Sequence, residues 1–271
     1  MREGTDEFTV EPEPDPYDPT SFDSRAVNAI APPVVAALAI LLRLSPLGFL
    51  LEGFHVWVHE LGHASQAWMT GRKAVPLPIG WTNVEQSQSL FVYFGVLLLL
   101  GTLAFYGWRE RKPFPIFLAV ILIPLQAYMT WRLPGDRAHM WMIFAGVGGE
   151  FYIASAMMAL FYFNLPDGFR WGGCRYFFLF IGAASFSETW SFWRDVKHGV
   201  EGIPYGSMIG GEDDGGGDMN ILKDDYGWTQ HQIIHAYSHL GDMCMVAVAV
   251  VYGFFVLRLD RIIDRFLAKI L

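Results

Sequence analysis

Two histidines four residues apart, with a glutamate between them, stand in a stretch otherwise apolar enough for a membrane interior. Phe54 to Met69 reads FHVWVHELGHASQAWM, with His59-Glu60-Leu61-Gly62-His63 at its centre. On a helix, at about 100° per residue, His59 and His63 fall on one face, one turn apart. Two imidazoles so placed can bind one Zn²⁺, and Glu60 stands beside them as a general base. Ionisable groups at membrane depth are costly, which makes them functional candidates by default. Catalytic zinc takes three protein ligands and leaves a fourth position to water, whose pKa it lowers to around 7. A carboxylate then takes the proton as the water attacks a carbonyl. One zinc per chain is expected, and its third ligand must come from elsewhere.

The preferred third ligand is Asp218, at the end of GGEDDGGGDMN, residues 210–220. Glycines there let the backbone fold closely around a metal or re-enter a membrane cavity. The bland reading is a flexible acidic loop, and for calcium the stretch lacks EF-hand spacing. Asp167 is the second candidate, but Asn164-Leu165-Pro166-Asp167-Gly168 reads as a turn between spans. Glu150, after Gly148-Gly149, falls near mid-membrane, where it must face protein or water. It either polarises a substrate or bonds to a neighbouring helix. Glu188 and His235 are outsiders for the same role.

Histidine recurs at every fourth residue twice, at His55, His59 and His63 and at His231, His235 and His239. Two such series keep open a multi-histidine di-iron membrane oxidase or hydroxylase, although the HxxHH clusters of membrane desaturases are absent. The bland role of the second series is a polar helix start that hydrogen-bonds across the bundle. The sharper one is support of metal ligands or a proton relay.

The elements that must position these residues are helices. The 271-residue chain is 53% hydrophobic and 17% charged, against about 25% charged in soluble domains. Apolar runs at 27–44, 47–69, 90–108, 114–132, 138–163, 175–193 and 233–258 have about the 20 residues that a helical span requires. An all-α polytopic membrane bundle of six or seven spans follows, a single domain over 26–271. The first run is the weakest, because it contains Pro32-Pro33 and ends on Arg43, and it reads as a bent span or a re-entrant piece. Residues 1–25, acidic and Pro-rich, read as a disordered tail. They look unlike a cleavable signal peptide, so the first span is expected to direct insertion.

The net charge of −8 is concentrated in two places, with eight acids in residues 3–23 and six in 212–225. No basic patch supports nucleic-acid binding. Cys174 and Cys244 have no CxxC spacing and are expected to be free thiols. With seven spans, Lys and Arg divide ten to nine between the two sides, which decides nothing under the positive-inside rule. The clusters at Arg109, Arg111 and Lys112 and at Arg258, Arg261 and Arg265 favour the side opposite the N-terminus as cytoplasmic. Relative sidedness says more: the HELGH helix ends on the side where His139, Glu188, the 194–232 loop and the second histidine series also lie. Asp167 falls on the opposite side.

HELGH within an apolar helix resembles the site-two protease family of intramembrane zinc metalloproteases. The resemblance implies His59 and His63 as ligands, Glu60 as the catalytic base, and a membrane protein or membrane-adjacent peptide as substrate. Phe144-Ala145-Gly146-Val147-Gly148-Gly149 looks like the family's Gly-rich element, without its usual Gly-Pro. Asn164 to Gly168 resembles the family's NPDG with one residue inserted. Ile203-Pro204, Gly210-Gly211 and Gly217-Asp218-Met219-Asn220 look like a divergent bacterial branch of membrane metallopeptidases, which favours Asp218. By resemblance the protein is a multi-pass protein of a bacterial plasma membrane. A catalytically inactive relative that binds partners or lipid is the non-enzymatic alternative. Substrate and oligomeric state stay open.

Overall fold

All seven apolar runs are helices in the computed structural model, which describes residues 17–166, 173–206, 211 and 214–259. They are α1 (Arg25–Arg43), α2 (Phe49–Met69), α3 (Leu90–Arg109), α4 (Pro113–Trp131), α5 (Gly135–Ala159), α6 (Cys174–Lys197) and α8 (Gln230–Val256). A short helix, α7 (Asp218–Asp224), and an antiparallel hairpin, β1 (Arg72–Leu77) with β2 (Trp81–Gln88), complete the fold. The protein is an all-α helical bundle to which one hairpin is added. Five helices, α1, α3, α4, α5 and α8, are long and apolar enough to cross a membrane. α2 and α6 are of similar length, and polar residues interrupt their apolar character. Phe91, Leu98, Phe117 and Val250 are exposed on the outward helix faces, an apolar exterior suited to lipid rather than water. Cys174 and Cys244 are both unpaired.

α5 is the hub. It packs on α2, α6, α7 and α8, and its Phe151 joins Trp193, Tyr237, Ile233 and Leu222 in a closed core. α3 and α4 pack mainly on one another and are tied to the rest at both ends. At one end the Thr130 hydroxyl donates to the Met69 carbonyl (3.1 Å) and the Gln88 amide donates to the Thr130 carbonyl (2.6 Å). At the other, Lys112 Nζ donates to the Leu165 carbonyl (2.9 Å), and Phe114 stacks on Phe163.

The weak first run is one continuous helix, and the reason is local. Pro32 and Pro33 cannot donate to the carbonyls four residues earlier, those of Asn28 and Ala29. Tyrosine hydroxyls take the place of the missing donors. Tyr162 reaches Asn28 O (3.4 Å) and Tyr252 reaches Ala29 O (3.0 Å). Backbone acceptors at membrane depth need such partners.

The reading of 1–25 as a disordered tail does not hold for its described part. Residues 1–16 lie outside the described residues, but 17–24 run as a strap that ends in Ser24, whose side chain caps α1 by accepting from Val27 N (3.2 Å). The strap is held by buried Arg175, which donates to the carbonyls of Pro19 and Ser21 and stacks over the rings of Phe22, Phe161 and Tyr176. A charged donor, once buried, recovers its lost hydration through such bonds, and composition alone does not reveal them. Arg175→Ala is expected to cost about 2 kcal/mol, the scale of hydrogen bonds to a charged group. It should lower the thermal midpoint in detergent and open residues 17–24 to limited proteolysis.

Candidate metal centre

α2 and α5 approach so closely that their backbones touch. A Cβ on Gly62 would collide with the Ala145 carbonyl, and one on Gly149 would collide with Gly62 Cα. Small residues at a helix crossing permit this approach, which puts His59 and His63 directly over the Gly146 turn of α5. Thr70 and Gly71 then end α2, and Gly71, at φ 72°, reverses the chain into β1.

Three donor atoms meet above Gly146. His59 Nε2 and His63 Nε2 are 3.1 Å apart, and Asp218 Oδ2 lies 3.2 Å from the first and 3.3 Å from the second. The proton positions follow from the partners on the other side of each ring. His63 Nδ1 faces the Met142 carbonyl at 2.7 Å, which can only accept, so Nδ1 carries the proton and Nε2 a lone pair. His59 Nδ1 faces Glu150 Oε1 at 2.6 Å, with the same consequence. Two lone pairs and a buried carboxylate oxygen that has no hydrogen-bond donor thus point at one spot. With both rings neutral, such an arrangement is unfavourable unless a positive charge, a proton on one imidazole or a metal ion, sits among them.

The spot is also the right size. A tetrahedron with these edges has its centre about 2 Å from each vertex, the bond length of first-row metals to imidazole and carboxylate. A Cβ on Gly146 would fall in the same place, 2.6 Å from each Nε2 and in collision with Asp218 Oδ2. His59, His63 and Asp218 could therefore hold a metal ion.

Asp218 is delivered by the first residue of α7. Met219 and Leu222 bury the other face of that helix in the core. Asn220 Oδ1 accepts from Gly206 N (2.7 Å), and Gly217 sits against the Gly206 carbonyl so tightly that only glycine fits. The Gly-rich loop is clasped rather than free where it carries Asp218. Asp167, Gly210, Glu212 and Asp213 lie outside the described residues.

The remaining candidates separate cleanly. Glu150 is a support for His59: its second oxygen, Oε2, lies 2.5 Å from the Thr189 hydroxyl and 3.6 Å from His55 Nε2. Glu60, buried, lies beside the donor triangle, with Oε2 2.5 Å from the Thr82 hydroxyl of β2. Glu188 and His139 line the same cavity of about 1230 Å³ but are not among the three convergent donors. His231, His235 and His239 do not line it. They are exposed on α8, so the hydrogen bonding across the bundle expected of them is not what the structure shows.

Thr82, Thr189 and the Met142 carbonyl were not legible as parts of the site. For Thr82 a signal exists: Trp81-Thr82-Asn83-Val84, after the Gly80 turn, alternates as a strand does. For the other two the sequence carries none.

No protein-family model matches this chain, and neither does any curated protein or solved structure in the comparisons made.

Gly146→Ala should leave the bundle folded and abolish metal retention, because the added methyl takes the ion's place. Glu150→Gln should weaken metal affinity by about 10- to 100-fold, as loss of a ligand-orienting carboxylate does. Metal content of the purified variants, set beside their circular dichroism, checks both.

Proposed function

We propose that the protein is a zinc-dependent peptidase acting on membrane-embedded or membrane-adjacent polypeptides, with His59, His63 and Asp218 as the ligands and Glu60 as the general base. The observation that carries this reading is the pairing of two differently used carboxylates. Asp218 points into the donor triangle, whereas Glu60 is turned toward the cavity and fixed by a separate partner. Three protein donors with an open side toward a cavity is the arrangement of a catalytic rather than a structural zinc site. Zinc bound there supplies a Lewis acid that acidifies water and polarises a carbonyl.

The chain's own residues do the rest. The Thr82 hydroxyl occupies Glu60 Oε2, which leaves Oε1 to take the proton of the attacking water and to pass it to the departing amide nitrogen. Glu150 and the Met142 carbonyl hold the two imidazoles in the tautomer that the site needs. Among the described residues β2 has only β1 as a strand partner, and its Thr82, Asn83, Val84 and Gln86 line the cavity. An unpaired strand edge there suits a substrate in extended form, which is the form that exposes an amide bond. The apolar helices and the resemblance at HELGH support a multi-pass protein of a bacterial plasma membrane.

Glu60→Gln should retain about one zinc per chain and lose about 10³-fold in cleavage rate, the scale of general-base catalysis. The check is metal analysis with a panel of transmembrane peptides in detergent. Zinc-free wild type, two irons per chain, or full cleavage by the variant would each defeat the reading. A wild type that holds zinc and cleaves nothing would point to a non-catalytic binding protein.

A further inference from the structure

The second histidine series takes no part in the deep cavity, yet it is arranged for chemistry of its own. His231, His235 and His239 follow one another at every fourth residue from the start of α8 (Gln230–Val256), and all three are exposed. Their rings stack in sequence, with centroids 6.0 Å apart for His231 and His235 and 5.6 Å apart for His235 and His239. Among the described residues, no hydrogen bond or ion pair occupies their ring nitrogens.

Imidazole nitrogen is a preferred donor for Zn²⁺, Ni²⁺ and Cu²⁺. Side chains four residues apart on a helix have Cβ atoms about 5–6 Å apart, close enough for two rings to share one ion. The chain provides its own measure of this. On α2, His59 and His63 have the same spacing, with ring centroids 4.9 Å apart and Nε2 atoms 3.1 Å apart. The α8 rings are only slightly farther apart, and being exposed they can turn about their side-chain bonds to converge. His231 and His239 are about 12 Å apart along the axis, so the three cannot all bind one ion. His235 is common to both possible pairs.

A second observation shows room for a ligand there. A shallow cavity of about 400 Å³ lies against His231 and His235, with Trp228 and Ala236 in its wall. It has room for the waters that complete a two-histidine coordination sphere. The turn before α8 carries Tyr226 into the wall of the deep cavity and Trp228 into that of the shallow one, so the two sites flank one segment. We infer that the first turns of α8 form a second, exposed site for a borderline divalent transition ion, chelated by His235 with either His231 or His239.

The test is titration of the metal-stripped, untagged full chain in detergent with Cu²⁺, followed by calorimetry and electron paramagnetic resonance. Wild type is expected to take up copper in two classes. His235→Gln should weaken the exposed class by about a hundredfold, the scale of losing a second tethered ligand, and should remove its two-nitrogen hyperfine signature. His231→Gln and His239→Gln singly should keep it. Asp218→Asn should affect only the buried class. A single class that disappears in His235→Gln and survives Asp218→Asn still supports the exposed site, and faults the deep one instead. Copper uptake unchanged in His235→Gln, or a single class that depends on Asp218 alone, overturns the inference.

Discussion

The contact of α2 with α5 at Gly62, Ala145 and Gly149 is the constraint on which the candidate centre depends. Backbones that touch bring the imidazoles of one helix within reach of the glycine face of the other, and the space above Gly146 exists only because no Cβ fills it. Glycine is an expensive helix residue, costing about 1 kcal/mol relative to alanine. Gly146, Gly148 and Gly149 crowd into one turn of the most buried long helix. That concentration is explained by proximity, not by helix propensity.

Electrostatics sets the second condition. Glu60, Glu150 and Asp218 all lie at the centre of the bundle, where unpaired carboxylates are costly. Two have a remedy within the chain, a threonine hydroxyl for Glu60 and an imidazole and a threonine for Glu150, whereas Asp218 Oδ2 has no donor and faces the ion position. Thr82 and Thr189 come from different elements, a hairpin and a helix, and each steadies a carboxylate that does not face the donor triangle directly. The hairpin therefore does more than connect α2 to α3.

Much of this was legible in the sequence, and the reason lies in periodicity. Seven apolar runs of membrane length became seven helices, because length and hydropathy are summed over many residues and tolerate single exceptions. HELGH was legible because its spacing matches one helical turn. Asp218 was legible only as a preference, through the Gly-rich loop around it, since nothing local shows that Asn220 would clasp Gly206 and fix the loop. The strap at 17–24 and the continuity of α1 were not legible, for a common reason. Both depend on partners more than a hundred residues away, Arg175 for the strap and Tyr162 and Tyr252 for the prolines. Long-range side-chain-to-backbone bonds leave no trace in composition. The hairpin was missed because its strands are short and its hydrophobic alternation is diluted by glutamines and prolines.

The origin of the three donors has a consequence for the order in which the chain becomes a unit. Two come from one helix near the N-terminus, and the third from a seven-residue helix late in the chain, seated by a loop rather than by a long apolar face. An ion bound among them would tie these distant segments together as a cross-link does, in a protein whose two cysteines form none. Closing so long a loop costs entropy that a short helix with two buried residues barely repays. The late segment and the ion would then settle together, and removing one would loosen the other.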